Sequence, residues 1–271
     1  MEKYSVLMTV YKDDNPEYFS VALDSMVKQT YPADEIVLVK DGPIGEELQK
    51  VIDEQIKKGA PIVQVQLPNN VGLGEALNEG IRVVKNELIV RMDSDDYSLP
   101  TRCEKQIRQF EEKKELDIVG CPVKEFIGSI GNVVGERKVP LTNQEIYQFA
   151  KTRDPFNHPA VVYRKSFLEK VGGYSNYRKN QDTDLWVKML TNQAVGMNLP
   201  EALLYFRFDE NTYAKRKSWL NTKTLIQIRH KAWKLGFNTF GEFLGVMVLQ
   251  VGLFILPAGF QRLIYKRVLR R

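Results

Sequence analysis

Residues 88–100, LIVRMDSDDYSLP, run from an apolar, β-forming segment into Asp93, Asp95 and Asp96 and stop at Pro100. Carboxylates this close repel one another, and burying them unpaired is costly, so the cluster calls for a positive partner such as a metal ion. A helix cap from Asp96 or Ser98 ahead of Pro100 would explain one acid but not three.

Outward from this stretch, strand and helix signals alternate. Strands are expected over 4–11, 35–40, 62–67 and 87–92, and helices over 16–29, 45–58, 73–84 and 100–112. Nearly continuous apolar strands interleaved with helices imply an α/β fold, a mostly parallel sheet covered on both faces. Ligands of such sheets bind beyond the carboxyl ends of the strands, where Tyr11, Asp41, Asn70 and Asp93 fall. The second half is less regular. An apolar stretch over 118–127 meets a Gly-rich turn at Gly128 to Gly131, Thr142 and Glu145 form a capping box, and a strand over 203–208 precedes a helix over 217–235. The simplest parse is one body over 1–210, split into halves 1–115 and 116–210, with an appendage over 211–271.

The 271 residues are 43% hydrophobic and 27% charged, ordinary for a globular chain. The first apolar run is too short for a signal peptide and meets Lys12 and Asp13, which points to a cytoplasmic protein. Cys103 and Cys121 lack metal-ligand spacing and suit packing in a reducing compartment. The net charge of +5 is uneven: residues 207–271 hold 13 Lys and Arg against 3 acids, leaving −5 for the remainder. The basic tail surrounds FLGVMVLQVGLFILPAGF, residues 243–260, which carries no charge. Apolar surface beside basic residues suits an anionic membrane surface better than nucleic acid.

At the strand ends, Tyr11 can stack on a planar base and Asp41 can accept from its N–H. A core tyrosine and a turn aspartate remain equally good readings of each alone. Gly72 and Gly74 open a helix in NNVGLGEALNEG, where backbone can approach a ligand. The phosphate-loop lysine and the GxGxxG spacing are both missing, so ATP hydrolysis and nicotinamide chemistry are unsupported. A hard cation such as Mn²⁺ or Mg²⁺ takes one or two carboxylates and leaves positions for a diphosphate. Base pocket and metal together imply a nucleotide diphosphate compound.

The order of VLMTVY, VLVKDG, NNVGLGEALNEGI, RMDSDD, VGGY and QDTDLW resembles the inverting family 2 glycosyltransferases with the GT-A fold, over roughly residues 1 to 210. The resemblance implies that Tyr11 and Asp41 bind the uracil of a UDP-sugar, that Asp93 reaches the ribose or a metal-bound water, and that Asp95 ligates Mn²⁺. Asp96 is left as a capping or supporting acid. It implies Asp182 as the catalytic base, with Gln181 standing where the family carries glutamate. Asp184 and Trp186 read as structural residues, since a helix with Leu185, Val187 and Leu190 must pack somewhere. The stretch FRFDENTYAKRK, residues 206–217, contains no histidine where members of that family often carry one, so no third metal ligand is assigned. Arg207 and Lys215 are placed over the diphosphate, though the 215–217 run also reads as a solvated basic loop. On the acceptor side the resemblance puts Gly173 and Tyr174, and His158 either contacts acceptor or caps its loop.

The implied activity is transfer of one sugar from a UDP-sugar, with galactose as the guess, to a lipid-linked saccharide in bacterial capsule or O-antigen assembly. The enzyme would work at the inner face of the cell membrane. A processive synthase would need spanning helices and a QxxRW-type motif, which are absent from the sequence. The alternative from another class is a non-catalytic nucleotide-sugar or glycan-binding protein that keeps the fold.

Overall fold

The structure is a computed structural model and describes residues 1–208 and 218–256. Lys215 lies outside the described residues. In chain order the elements are β1 (Tyr4–Val10), α1 (Pro16–Val27), β2 (Glu35–Lys40), α2 (Glu46–Lys57), β3 (Ile62–Gln66), α3 (Leu73–Val83), β4 (Leu88–Met92), β5 (Tyr97–Ser98) and α4 (Arg102–Glu112). There follow β6 (Ile118–Gly120), β7 (Val123–Phe126), β8 (Val133–Arg137), α5 (Asn143–Ala150), β9 (Val162–Arg164), α6 (Lys165–Lys170), α7 (Gln181–Thr191), β10 (Gly196–Asn198) and β11 (Leu204–Arg207). Two helices close the described chain: α8 (Trp219–Lys234) and α9 (Phe240–Ile255).

Seven strands make the central sheet in the order β10-β6-β9-β4-β1-β2-β3. Its heart is parallel: β1 pairs with β2 on one side and with β4 on the other. This is the expected α/β arrangement, with one exception. Strand β9 is inserted antiparallel between β4 and β6. Alternation along β1 divides the core, with Tyr4, Val6, Met8 and Val10 entering one apolar cluster and Leu7 entering the cluster on the opposite face. Arg91, in line with Ile89 on β4, points to that second face and is fully buried there. A smaller sheet, β5-β11-β7-β8, stands beside the carboxyl end of β4.

The helix after the acidic cluster is capped differently from expectation. Its N-cap is Thr101, which makes no side-chain cap bond. The free N–H of Cys103 instead donates to Gln29 Oε1 at 3.0 Å, so the end of α1 closes α4 from 74 residues away. Asp96 and Ser98 are thereby released from capping. Thr142 and Glu145 do form the capping box of α5.

The C-terminal helices pack on the body. Ile228 and Ala232 of α8 bury against Val187 of α7, and α9 stacks on α8 through Trp233 and Phe243, whose rings are 5.8 Å apart and nearly parallel. No helix among the described residues is long and apolar enough to cross a membrane.

Candidate active site

The acidic cluster sits where β4 leaves the sheet. One carboxylate oxygen from each of Asp93, Asp95 and Asp96 falls within 4.8 Å of the others. Asp93 Oδ1 pairs with Arg91 Nη1 at 2.5 Å. Asp96 is buried; its Oδ1 accepts from the backbone N–H of Arg207 at 2.8 Å, while Oδ2 has no partner among the described residues. Asp95 is crowded by surrounding atoms yet still reached by solvent. Burial first, then Asp93 and Asp14, push it up to about 7. Asp96 is driven well above the usual carboxylate range by burial, Asp95 and Asp93. Asp14 joins them from the loop after β1 and is pushed up to about 6 by burial and then chiefly by Asp93. Carboxylates held toward their protonated forms by burial and by one another, plus a buried oxygen without a partner among the described residues, are what a divalent cation with oxygen ligands would relieve. The residues present therefore fit such an ion.

Arg207 serves this loop and is not an idle cation. Its Nε donates to the Asp95 carbonyl and its Nη1 to the Gly128 carbonyl, both at 2.8 Å. The guanidinium lies 3.7 Å from the ring centre of Tyr18 and 4.5 Å from that of Phe126. With its planar fork spent on carbonyls and rings, Arg207 acts as the clasp of the acidic loop.

On the nucleotide side, Tyr11 is 39% exposed at the end of β1, open for stacking. Asp41 is buried and already holds the neighbouring loop. Its Oδ2 accepts from Asn70 Nδ2 at 2.9 Å and from the Gly72 N–H at 3.1 Å, and its Oδ1 accepts from the Val71 N–H at 2.7 Å. Oδ1 keeps one lone pair, so a base N–H can still be received there. Asn70 Oδ1 accepts from Arg178 Nη1 at 3.3 Å. A Cβ on Gly72 would stand 2.9 Å from that same nitrogen, and φ there is +93°, so this position needs glycine.

Asp182 occupies the first turn of α7, where helix N–H groups favour a carboxylate. Asn180 precedes it in the left-handed region at φ 57° and donates its Nδ2 to the Asn221 carbonyl of α8 at 3.0 Å. Asp182 Oδ1 accepts from the Thr183 N–H at 3.0 Å. Thr183 also donates its hydroxyl to Asp154 Oδ2 at 2.9 Å, so one residue ties two carboxylates together. Burial and then the Asp154 charge push Asp182 up to about 6. Asp184 is buried between Lys231 of α8 and Lys188, and accepts from Ser175 Oγ at 2.5 Å. It is structural, as expected, and Trp186 is buried beside it in the core.

One cavity of about 760 Å³ is lined by Asp93, Gln181, Asp182, Asp154 and His158 and by the α9 residues Val246 and Leu249. His158 reaches it from a buried position. Its Nε2 shares a hydrogen bond with Tyr174 Oη at 2.8 Å, and burial and the Arg91 charge push it well below the usual histidine range. It caps no loop. Tyr174 and Gly173, expected on the acceptor side, do not line this cavity. Tyr174 is 2% exposed and its hydroxyl also meets that of Tyr163 at 3.1 Å. Asn78 clamps the Tyr174 backbone from both sides, donating to its carbonyl at 2.9 Å and accepting from its N–H at 2.8 Å. The ring thus sits in the core, outside the lining of this cavity.

Asp14, Arg91 and Asp154 are not singled out by the sequence, and the apolar stretch that forms α9 is singled out for a membrane surface and not as a wall of this cavity. Asp14 had a signal, an acid directly beyond a strand end. Asp154 had a fainter one, a lone charge in an apolar DPFNHP segment, and the place of α9 had none.

The model of the Glycosyl transferase family 2 matches residues 5–172. A UDP-Gal:alpha-D-GlcNAc-diphosphoundecaprenol beta-1,3-galactosyltransferase from Escherichia coli is 34% identical over 269 residues, covering 99% of this chain and 97% of that protein. The amylovoran biosynthesis glycosyltransferase AmsE of Erwinia amylovora is 37% identical over 225 residues, 83% of this chain and 84% of that protein. Among solved structures, S. aureus TarS 1-349 in complex with UDP-GlcNAc superposes with a TM-score of 0.65 at 19% identity, covering 98% of this chain and 71% of the other. A Pyrobaculum calidifontis mannosyltransferase in complex with GDP-Man and Mn²⁺ gives a TM-score of 0.66 at 15% identity, covering 96% and 72%. At these identities the two structures speak for the fold alone.

Proposed function

The chain belongs to the family 2 glycosyltransferases, with the GT-A fold, and we propose that it moves one sugar from a UDP-sugar to a hydroxyl of a lipid-linked saccharide with inversion. The observation that carries this is the shared cavity: Asp93 from the nucleotide side and Asp182 from α7 line the same space. UDP-galactose is the first donor to test, since the E. coli relative is named for it.

An acceptor hydroxyl is a poor nucleophile at neutral pH. Asp182, recessed and close to the pH range where it both holds and gives up a proton, takes the hydroxyl proton as the bond to the anomeric carbon forms. Attack from the Asp182 side on an α-linked donor leaves a β-glycoside. Tyr11, Asp41 and Asn70 hold the base and Asp93 the ribose side, while Arg207 fixes the loop. Asp95, with Asp96 behind it, would hold Mn²⁺ or Mg²⁺, which would stabilise charge developing on the departing diphosphate.

The membrane-facing part of the proposal rests on α9. Phe240, Leu244, Val248 and Ile255 are exposed, between 39% and 73%, along one helical stripe. The sequence that follows carries Arg262, Lys266, Arg267, Arg270 and Arg271. Apolar stripe and basic run together suit peripheral attachment to the anionic inner face of a membrane. The division into a body over 1–210 and an appendage over 211–271 belongs to this proposal, with α9 serving as a wall of the cavity. The test is release of free UDP from UDP-galactose, UDP-glucose and UDP-GlcNAc with Mn²⁺ and a lipid-linked saccharide. Acceptor-dependent release supports the reading. UDP-sugar binding without release under any acceptor supports the non-catalytic alternative.

A further inference from the structure

The cavity that Asp93 and Asp182 line also has features that donor chemistry leaves unused. Four cationic side chains line the space: Arg137, Lys138, Arg153 and Arg229. Arg137 pairs through Nε with Glu125 at 2.9 Å and lies over the Phe206 ring, while its Nη2 is buried without a partner among the described residues. Arg229 is buried and donates to the Ala150 carbonyl and to Asp154. Lys138 is exposed and has no ion pair among the described residues. It and Arg153 both border Phe149, with the Arg153 guanidinium 5.7 Å from that ring centre. On α9, Val246 and Leu249 line the same cavity, and Leu249 remains 40% exposed. Glu242 on the same helix is turned toward its own N-terminus, where it accepts from the Thr239 N–H and hydroxyl.

Catalytic carboxylates, cations and an apolar helix are therefore joined in one cavity, and the exposed side of that helix is the stripe assigned to the membrane. A saccharide on a polyprenyl diphosphate is built of the same kinds of part: a neutral sugar, a diphosphate and an apolar chain. We propose that Lys138 and Arg153 form an acceptor-diphosphate subsite and that the lipid chain leaves along α9 past Leu249. The inference rests on the lipid-linked acceptor reading above. A dianionic group beside Lys138, which has no ion pair among the described residues, gains charge-assisted bonds, while the chain covers apolar surface that water otherwise wets.

The probe is farnesyl diphosphate, which carries no sugar, titrated into full-length protein saturated with UDP and Mn²⁺ so that the donor site is filled. It is compared with farnesol and with inorganic pyrophosphate. Farnesyl diphosphate should bind at least about ten-fold more tightly than either. Lys138→Gln should weaken farnesyl diphosphate by about five-fold or more and leave farnesol unchanged, and Leu249→Gln should weaken both farnesyl compounds. UDP affinity unchanged in both variants shows that they fold. Equal binding of the three probes, no effect of Lys138→Gln, or competition by UDP would overturn the subsite. A dependence on Leu141, in the neighbouring groove that also contains Lys138, and not on Leu249 would overturn the α9 route. Failure of wild-type protein to bind UDP at all would instead strike the donor reading.

Discussion

Asp154 is held beside Asp182 by Thr183, which gives its hydroxyl to one carboxylate at 2.9 Å and its backbone N–H to the other at 3.0 Å. Asp154 thereby places a second carboxylate beside Asp182, the proposed base, in a chain where Gln181 stands where the resemblance expects glutamate. Arg229 of α8 reaches Asp154 at 3.3 Å and Lys231 reaches Asp184 at 3.1 Å, so α8 is tied to the start of α7 and to its neighbour Asp154 by ion pairs.

Because Asp182 acts as a base only when ionised, kcat/KM should rise with pH and level off above about 6. The Asp154 charge raises Asp182, so Asp154→Asn should move this acid limb to lower pH. A pH profile of both proteins measures the shift. A limb that stays in place or moves upward would separate Asp154 from the base.

Stability should respond to pH through the acidic cluster. Asp95, at about 7, and Asp14, at about 6, bind protons more tightly folded than unfolded, where their usual value is 3.8. Ionising them therefore costs folding stability as pH rises from about 4 to 7, and that cost is absent at lower pH. Without divalent ions, Asp95→Asn should become more stable relative to wild type across this window. Mn²⁺ should raise the wild-type Tm at pH 8 and leave Asp95→Asn nearly unmoved. Equal Mn²⁺ shifts in both proteins would remove Asp95 from the metal site.

Tyr174→Phe should act on stability and not on acceptor use. It removes the hydroxyl that meets His158 and Tyr163, which costs about 1–3 kcal/mol when buried partners are left unpaired. Urea unfolding and the acceptor KM separate the two effects. A raised KM with unchanged stability would return Tyr174 to the acceptor side.

Much of this was legible locally. The strand EIVLVK matches β2 residue for residue, because apolar runs bounded by turn residues report parallel strands directly. RMDSDD and QDTDLW could be assigned roles because each motif lies within a few positions. What stayed hidden depends on distant contacts. Nothing near Val162–Arg164 signals that β9 enters antiparallel, and nothing near Gln29 signals that it caps α4. Asp41 looked like a base-binding acid, and its three loop contacts appear only when residues 70–72 fold over it. The tail read as an appendage, since its composition reports apolarity and charge and not the cavity it walls.

Phe240→Glu with Val248→Glu should test the membrane stripe, since both side chains are more than half exposed and the change should not disturb the core. Sedimentation with anionic vesicles should fall at least several-fold, with UDP affinity unchanged. Binding to vesicles at the wild-type level would place the membrane contact elsewhere.

The central claim, that Asp182 is the base in a cavity shared with the nucleotide site, is tested most directly by Asp182→Asn. UDP-sugar affinity and single-turnover transfer are measured on the same preparation. The account predicts donor affinity within a few-fold of wild type and transfer slowed by about 10²-fold or more, the usual scale of general-base loss. Transfer within a few-fold of wild type, with the donor bound normally, would contradict it.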